Sequence, residues 1–235
     1  MPLLSNKFTT PLTSHPGLHP RVLHNTPSTS HTLTNLRFLV ISLGNPAPYH
    51  DTFHSAGHHA LTSLQRLLGP TQPPFSKVRL GKKAALTSSG PKYTLAQSPT
   101  LMNVSGPWAL SAYRDLLARE GVSARDIPLV VVHDELEAGL GVIKRREWGR
   151  SHRGHNGVKS VGASFKADEF PGAMWARVAV GIGRPEERDA RKVADYVLSP
   201  MSQFQRDVVG EKGAAGVLKC LEDMEREWLA NNGSL

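Results

Sequence analysis

Three asparagines, three histidines and one aspartate stand where apolar runs end or helical spacing begins. Asn45 follows the run Phe38–Leu43, His133-Asp134 ends the run Leu129–Val132, and His155-Asn156 lies in a basic loop bearing glycine. His54 and Asn103 come just ahead of segments with helical spacing. An imidazole titrates near neutrality and can take a proton from water. A carboxylate beside it fixes the tautomer and stabilises the imidazolium. Side-chain amides orient a carbonyl or stabilise the oxyanion formed from it. These residue types suit a hydrolase that activates water.

Each of them also has a plainer use. Asn45 ahead of Pro46 suits a turn. Asn103 or Ser105 suits a helix cap. Asp134, after a buried strand, suits a cap or an ion pair. Eight of the eleven histidines fall within residues 1–60, so number alone does not single out His54. His152 and His155, together with His58, His59, His133 and Asp134, could form a metal site, but their spacing fixes no ligand set. Trp148 and Trp175 read as core or edge packing rather than as platforms for bases.

The elements that must position these residues alternate. Phe38–Leu43 reads as a buried strand running into Gly44-Asn45-Pro46. Ala56–Leu68 has helical spacing and stops at Gly69-Pro70. Val78–Leu86 and Tyr93–Gln97 read as a strand pair around Ser88-Ser89-Gly90. Ser105–Arg119 reads as a helix ending at Gly121. Ile127–Val132 is the clearest strand, Asn156–Ser164 a short helix, Ala176–Ile182 a strand, and Pro200–Leu229 one or two helices. Strands alternating with helices predict an α/β fold: a single domain with a mixed, mostly parallel sheet and helices on both faces. In such a sheet, ligands bind at the carboxyl ends of the strands, where these polar residues fall.

The chain has 235 residues and a net charge of +8, unevenly placed. Residues 1–110 hold nine Lys/Arg and one acid, Asp51. A second excess covers 144–166, where Lys144, Arg145, Arg146, Arg150, Arg153, Lys159 and Lys166 face Glu147 alone. A concentrated basic stretch suits a polyanionic partner, or simply a solvated face. Residues 1–35 are rich in Ser, Thr, Pro and His, contain no acid and show no steady apolar period. They read as a disordered tail or an organelle transit peptide, and 36–235 as the catalytic domain. The compartment is therefore expected to be mitochondrial or cytoplasmic. No apolar run approaches the roughly 18 residues of a membrane span. The single cysteine, Cys220, excludes a disulfide framework. The chain has no G-x-x-x-x-G-K-[ST] loop, H-E-x-x-H helix or G-x-S-x-G elbow.

Six ordered segments make the sequence resemble the bacterial-type peptidyl-tRNA hydrolase family. They are FLVISLGNPAPYHDTFHSAGHHAL (38–61), PTLMNVSG (99–106), LVVVHDELEAGLGVIKRR (129–146), HRGHNGVKS (152–160), RVAVGIGRP (177–185) and VADYVLSP (193–200). The resemblance implies cleavage of the ester joining a peptide to the 3′ end of tRNA, with no metal or cofactor; a monomer is expected. It implies His54 as the base that activates water and Asp134 as the residue that orients it. Asn45 would hold the peptide side of the substrate, and Asn103 and Asn156 would position the scissile group and the water. Tyr49, Met102 and His155 would line the cleft, and Lys144, Arg146 and Lys159 would meet tRNA phosphates. The chain departs from the family pattern at Ala47, Phe53, Ser55, Leu101 and Ala179. Two other readings stay open: a non-catalytic RNA-binding protein on the same fold, and a metal-dependent hydrolase using the His152/His155 region.

Overall fold

The computed structural model describes residues 36–186 and 189–232; the reading of 1–35 as tail or transit peptide lies outside them. Seven strands form one mixed sheet: β1 (Phe38–Ser42), β2 (Ser76–Leu80), β3 (Lys83–Ser89), β4 (Tyr93–Gln97), β5 (Leu129–Glu135), β6 (Ile143–Glu147) and β7 (Trp175–Gly181). Five helices cover it: α1 (Ala56–Leu67), α2 (Ser105–Glu120), α3 (Asn156–Ser164), α4 (Ala190–Val197) and α5 (Gln203–Asn232). The strand order is β2-β3-β4-β1-β5-β7-β6. The four central strands β4, β1, β5 and β7 are parallel, and β2, β3 and β6 join antiparallel at the edges.

The central strands read as apolar runs because both of their faces are buried. Along β1, Phe38 and Val40 enter the core that includes α1 and α5, while Leu39 and Ile41 enter the core that includes α2 and α3. β5 alternates in the same way, with Val130 and Val132 on the first side and Leu129 and Val131 on the second. The parity continues to the strand end. His133 and Asp134, read from the sequence as following the strand, lie within it just before its last residue, Glu135, and point to opposite faces.

Three readings are corrected. Val78–Leu86 is two strands, not one. Gly81 takes φ 62°, a left-handed conformation that suits glycine, and the chain reverses so that Leu80 pairs with Lys83. β6 escaped notice because IKRRE is a charged edge strand, a common protection of a sheet edge. α4 escaped notice although Asp189 caps it through Oδ1, accepting from the Arg191 and Lys192 N–H groups. The segment Pro200–Leu229 holds one long helix, α5. Trp148 and Trp175 pack on each other and on Phe165, as expected of core or edge aromatics.

α2 and α3 touch through Gly106, where an added Cβ would lie 2.0 Å from the Ser160 carbonyl oxygen. Gly106→Ala is therefore expected to cost about 1–3 kcal/mol of stability, read as a lower denaturation midpoint with an unchanged slope. An unchanged midpoint would show that the helices separate freely.

Candidate active site

β1 is flanked by β4 on one side and β5 on the other, so the sheet order turns beside it and a crevice opens at the strand ends. A 3-10 turn, Phe53–Ser55, leads directly into α1 and carries His54. Phe53 anchors that turn by stacking on Tyr196 of α4, ring centroids 4.6 Å apart. The histidine ring thereby reaches the end of β5. Its Nδ1 lies 3.0 Å from each oxygen of Asp134. A carboxylate only accepts, so Nδ1 carries the proton and the lone pair is left on Nε2.

Asp134 is 2% exposed and takes a second imidazole. His155 Nε2 donates to Asp134 Oδ1 at 2.9 Å. The His155 tautomer is fixed from the other side, because its Nδ1 accepts from the Val158 N–H as the N-cap of α3. Burial works against ionisation of Asp134, but the charges and hydrogen bonds of His54 and His155 outweigh it and hold the carboxyl well below the usual range. Burial likewise lowers His54, yet the Asp134 charge and hydrogen bond prevail and raise it above the ordinary 6.5. His133 is held at about 3 by burial and by neighbouring His155, and so stays neutral. Its Nδ1 donates to the Asp134 carbonyl at 2.7 Å.

A cavity of about 540 Å³ opens over this couple, and its lining includes His54, Asp134, His155, Asn156 and Arg146. Val193, Ala194 and Val197 of α4 give it an apolar wall, and Arg150, Arg153, Arg177 and Arg184 give it positive charge. Arg177, mid-strand in β7, donates to the carbonyls of Glu147 and Arg150 and ties down the loop that returns to His155. The α4 wall was missed in the sequence, although its apolar residues recur at helical spacing. Arg177 stands in the sequence only as the first residue of the RVAVGIGRP segment.

The remaining expected residues do not line that cavity. Asn45 is 5% exposed; its Oδ1 accepts from the Met102 N–H at 2.8 Å, and its own N–H donates to Ser55 Oγ at 3.0 Å. Asn45 thus splices the loop after β1 to the His54 turn and to the 3-10 turn Met102–Val104. Its side-chain NH₂ is left to meet a substrate. Met102 is buried, whereas Asn103 and Tyr49 are exposed. Lys144 and Lys159 are exposed as well, and Arg146 is part-buried, its Nη2 3.3 Å from Glu135. The residues suspected of forming one metal site do not assemble as such. His58 is buried on Ser42 Oγ, and His152 accepts from the Gly154 N–H.

The model of the peptidyl-tRNA hydrolase family matches residues 39–232. The chain belongs to the peptidyl-tRNA hydrolase family. It is 33% identical over 192 residues to a peptidyl-tRNA hydrolase from Haemophilus influenzae, covering 80% of this chain and 90% of the relative. It is 35% identical over 193 residues to one from Rhodococcus erythropolis, covering 78% and 91%. Among solved structures, the peptidyl-tRNA hydrolase of Acinetobacter baumannii superposes with a TM-score of 0.58 at 22% identity, over 86% of this chain and 94% of that one. The expected family and the expected single mixed α/β sheet are both borne out. Among the described residues, no helix is long and apolar enough to cross a membrane.

Proposed function

We propose that this chain hydrolyses the ester between a peptide and the 3′ end of tRNA, releasing free tRNA. The reading is carried by an imidazole with its Nδ1 on a buried carboxylate, facing a basic cavity, in a chain of this family. In the proposed reaction, His54 Nε2 removes a proton from water as the oxygen attacks the ester carbonyl. Asp134 holds the ring and stabilises the imidazolium that forms. Asn156, at the cavity, and Asn103 position the scissile group and the attacking water, and the Asn45 NH₂ holds the peptide side of the substrate. As the ester C–O bond breaks, the imidazolium returns its proton to the 3′ oxygen of tRNA. Met102, His155 and Tyr49 shape the cleft. No metal or cofactor enters these steps.

Lys144 and Arg146 alternate with Arg145 along β6, so they share one face, while Arg145 pairs with Glu227 on the other. That face and Lys159 are proposed to meet tRNA phosphates, which give affinity without sequence choice. Lys144→Ala is expected to raise KM with kcat unchanged, and to lower the slope of log KM against log salt by about 1. An unchanged slope would remove Lys144 from the tRNA face. The chain is proposed to act as a monomer. Its compartment, mitochondrial or cytoplasmic, rests on the composition of 1–35 alone.

Cleavage of an N-blocked aminoacyl-tRNA against the free aminoacyl form tests reaction and substrate together. Rapid release of tRNA from the blocked form, with the free form left largely intact, is expected. Binding of tRNA with no cleavage of either would favour the non-catalytic RNA-binding reading. Activity abolished by a chelator would favour the metal-dependent one.

A further inference from the structure

A second imidazole–carboxylate cluster shares no residue with the His54 site. His50 and Asp51 end the loop between β1 and the His54 turn, and His59 lies in the first turns of α1. Asp51 Oδ1 sits 3.4 Å from His50 Nδ1 and 3.3 Å from His59 Nε2. The three ligand atoms lie within 4.8 Å of one another, and the two rings flank the carboxylate with centroids 5.5 Å apart. His59 Nε2 is buried and makes no hydrogen bond.

Those two separations are long for N–H···O bonds, which centre near about 2.9–3.0 Å. They are, however, the edge lengths expected around a tetrahedral ion. Bonds of about 2.0–2.1 Å to nitrogen and carboxylate oxygen place neighbouring ligands about 3.3–3.4 Å apart. Two imidazoles and one carboxylate are also a donor set that borderline divalent metals accept. The surroundings hold charge of both signs. Arg206 faces His59, but its guanidinium is committed to the Met201 carbonyl and Gln203 Oε1. The adjoining cavity of about 300 Å³ is lined by Asp207 and Glu211 as well as by Arg66.

We propose that His50 Nδ1, Asp51 Oδ1 and His59 Nε2 bind one divalent transition-metal ion of the Zn²⁺ class, its fourth position filled by water from the adjoining cavity. The ion takes no part in ester cleavage. It clips the loop at His50-Asp51 to α1 at His59, on either side of the turn that carries His54, and so steadies that turn. Asp51 already receives the Met201 N–H on its carbonyl at 2.9 Å, and the clip would complete that anchorage.

The test uses the full chain with Co²⁺ as the probe, reading equivalents bound by competition with a chromophoric chelator together with the visible d–d bands. The side chains of His50 and Asp51 are 43% and 63% exposed, so His50→Ala and Asp51→Asn are expected to fold. Wild type is expected to bind one equivalent more than either variant and to show tetrahedral bands that both variants lose. His155→Ala, which alters the other histidine–aspartate cluster, is expected to keep them. Histidines in 1–35 are present in every protein and cancel. Equal equivalents and spectra in wild type and in both variants would overturn the proposal. So would loss of the bands in His155→Ala with retention in the other two.

Discussion

His54→Ala is expected to lower kcat on an N-blocked aminoacyl-tRNA by at least about 10³-fold, with KM and tRNA affinity little changed. General base catalysis by a positioned imidazole contributes up to about 10⁴-fold, and the two neighbouring imidazoles are not suited to replace it. His155 shares Asp134, but its Nε2 carries the proton toward the carboxylate and its Nδ1 accepts the Val158 N–H. Neither nitrogen is free to take a proton from water. His133 Nε2 has no partner, but it is buried, and burial and neighbouring His155 hold the ring at about 3, too weak a base to take a proton from water near neutrality. The His54 side chain is 14% exposed and lies at the cavity wall, so truncation removes a reacting group without opening the core. Single-turnover cleavage with the variant in excess checks the rate, and filter binding of tRNA checks the affinity. A near wild-type rate would show that another group is the base.

Asp134→Asn is expected to be comparably severe, with a loss of about 10⁴-fold in kcat, as when the carboxylate of a histidine–aspartate pair becomes an amide. The amide has the same shape but can donate, which allows the His54 ring to carry its proton on Nε2, where the lone pair is needed. The substitution has a second, separable consequence. In wild type, His54 must be neutral to act, so the rate falls as pH drops through its raised pKa. The acid limb of kcat/KM therefore lies above the ordinary 6.5. Removing the Asp134 charge leaves burial to dominate, and the residual activity is expected to show that limb shifted to lower pH. A full loss of activity through unfolding would instead appear in the denaturation curve, and an unshifted limb would separate Asp134 from His54 altogether.

The central strands were legible because their burial is written into the sequence. Phe38–Ile41 and Leu129–Val132 are apolar on every residue, as expected of parallel strands buried on both faces. The polar residues at their ends were legible for the complementary reason, since Asn45 and Asp134 interrupt runs that otherwise exclude charge. The partner of Asp134 was not legible from composition, because His50, His54, His58 and His59 crowd one short stretch. The turn Phe53–Ser55 selects among them by presenting one ring to β5. The family resemblance pointed to His54, but it did not reveal that His155 closes on the same carboxylate.

Elements stayed hidden where tertiary contacts override local pattern. β6 is charged because it is an edge, and its pairing to β7 supplies what its composition lacks. α4 buries little of itself, with Val197 alone among its residues buried, so its apolar face serves the cavity more than the core. The departure at Phe53 gains a reason only when α4 is in place, through its stacking on Tyr196. The Asn45 side chain could be read as turn or site. Its acceptance of the Met102 N–H gives it the first use and leaves its NH₂ for the second.

The claim that one nitrogen of one ring deprotonates water can be tested by titrating His54 with ¹⁵N NMR beside the pH dependence of kcat/KM. The neutral ring is predicted to carry its proton on Nδ1, and its titration midpoint to lie above the ordinary 6.5 and to coincide with the acid limb of the rate profile. A neutral ring protonated on Nε2, or a His54 midpoint separated from the kinetic limb, would contradict it.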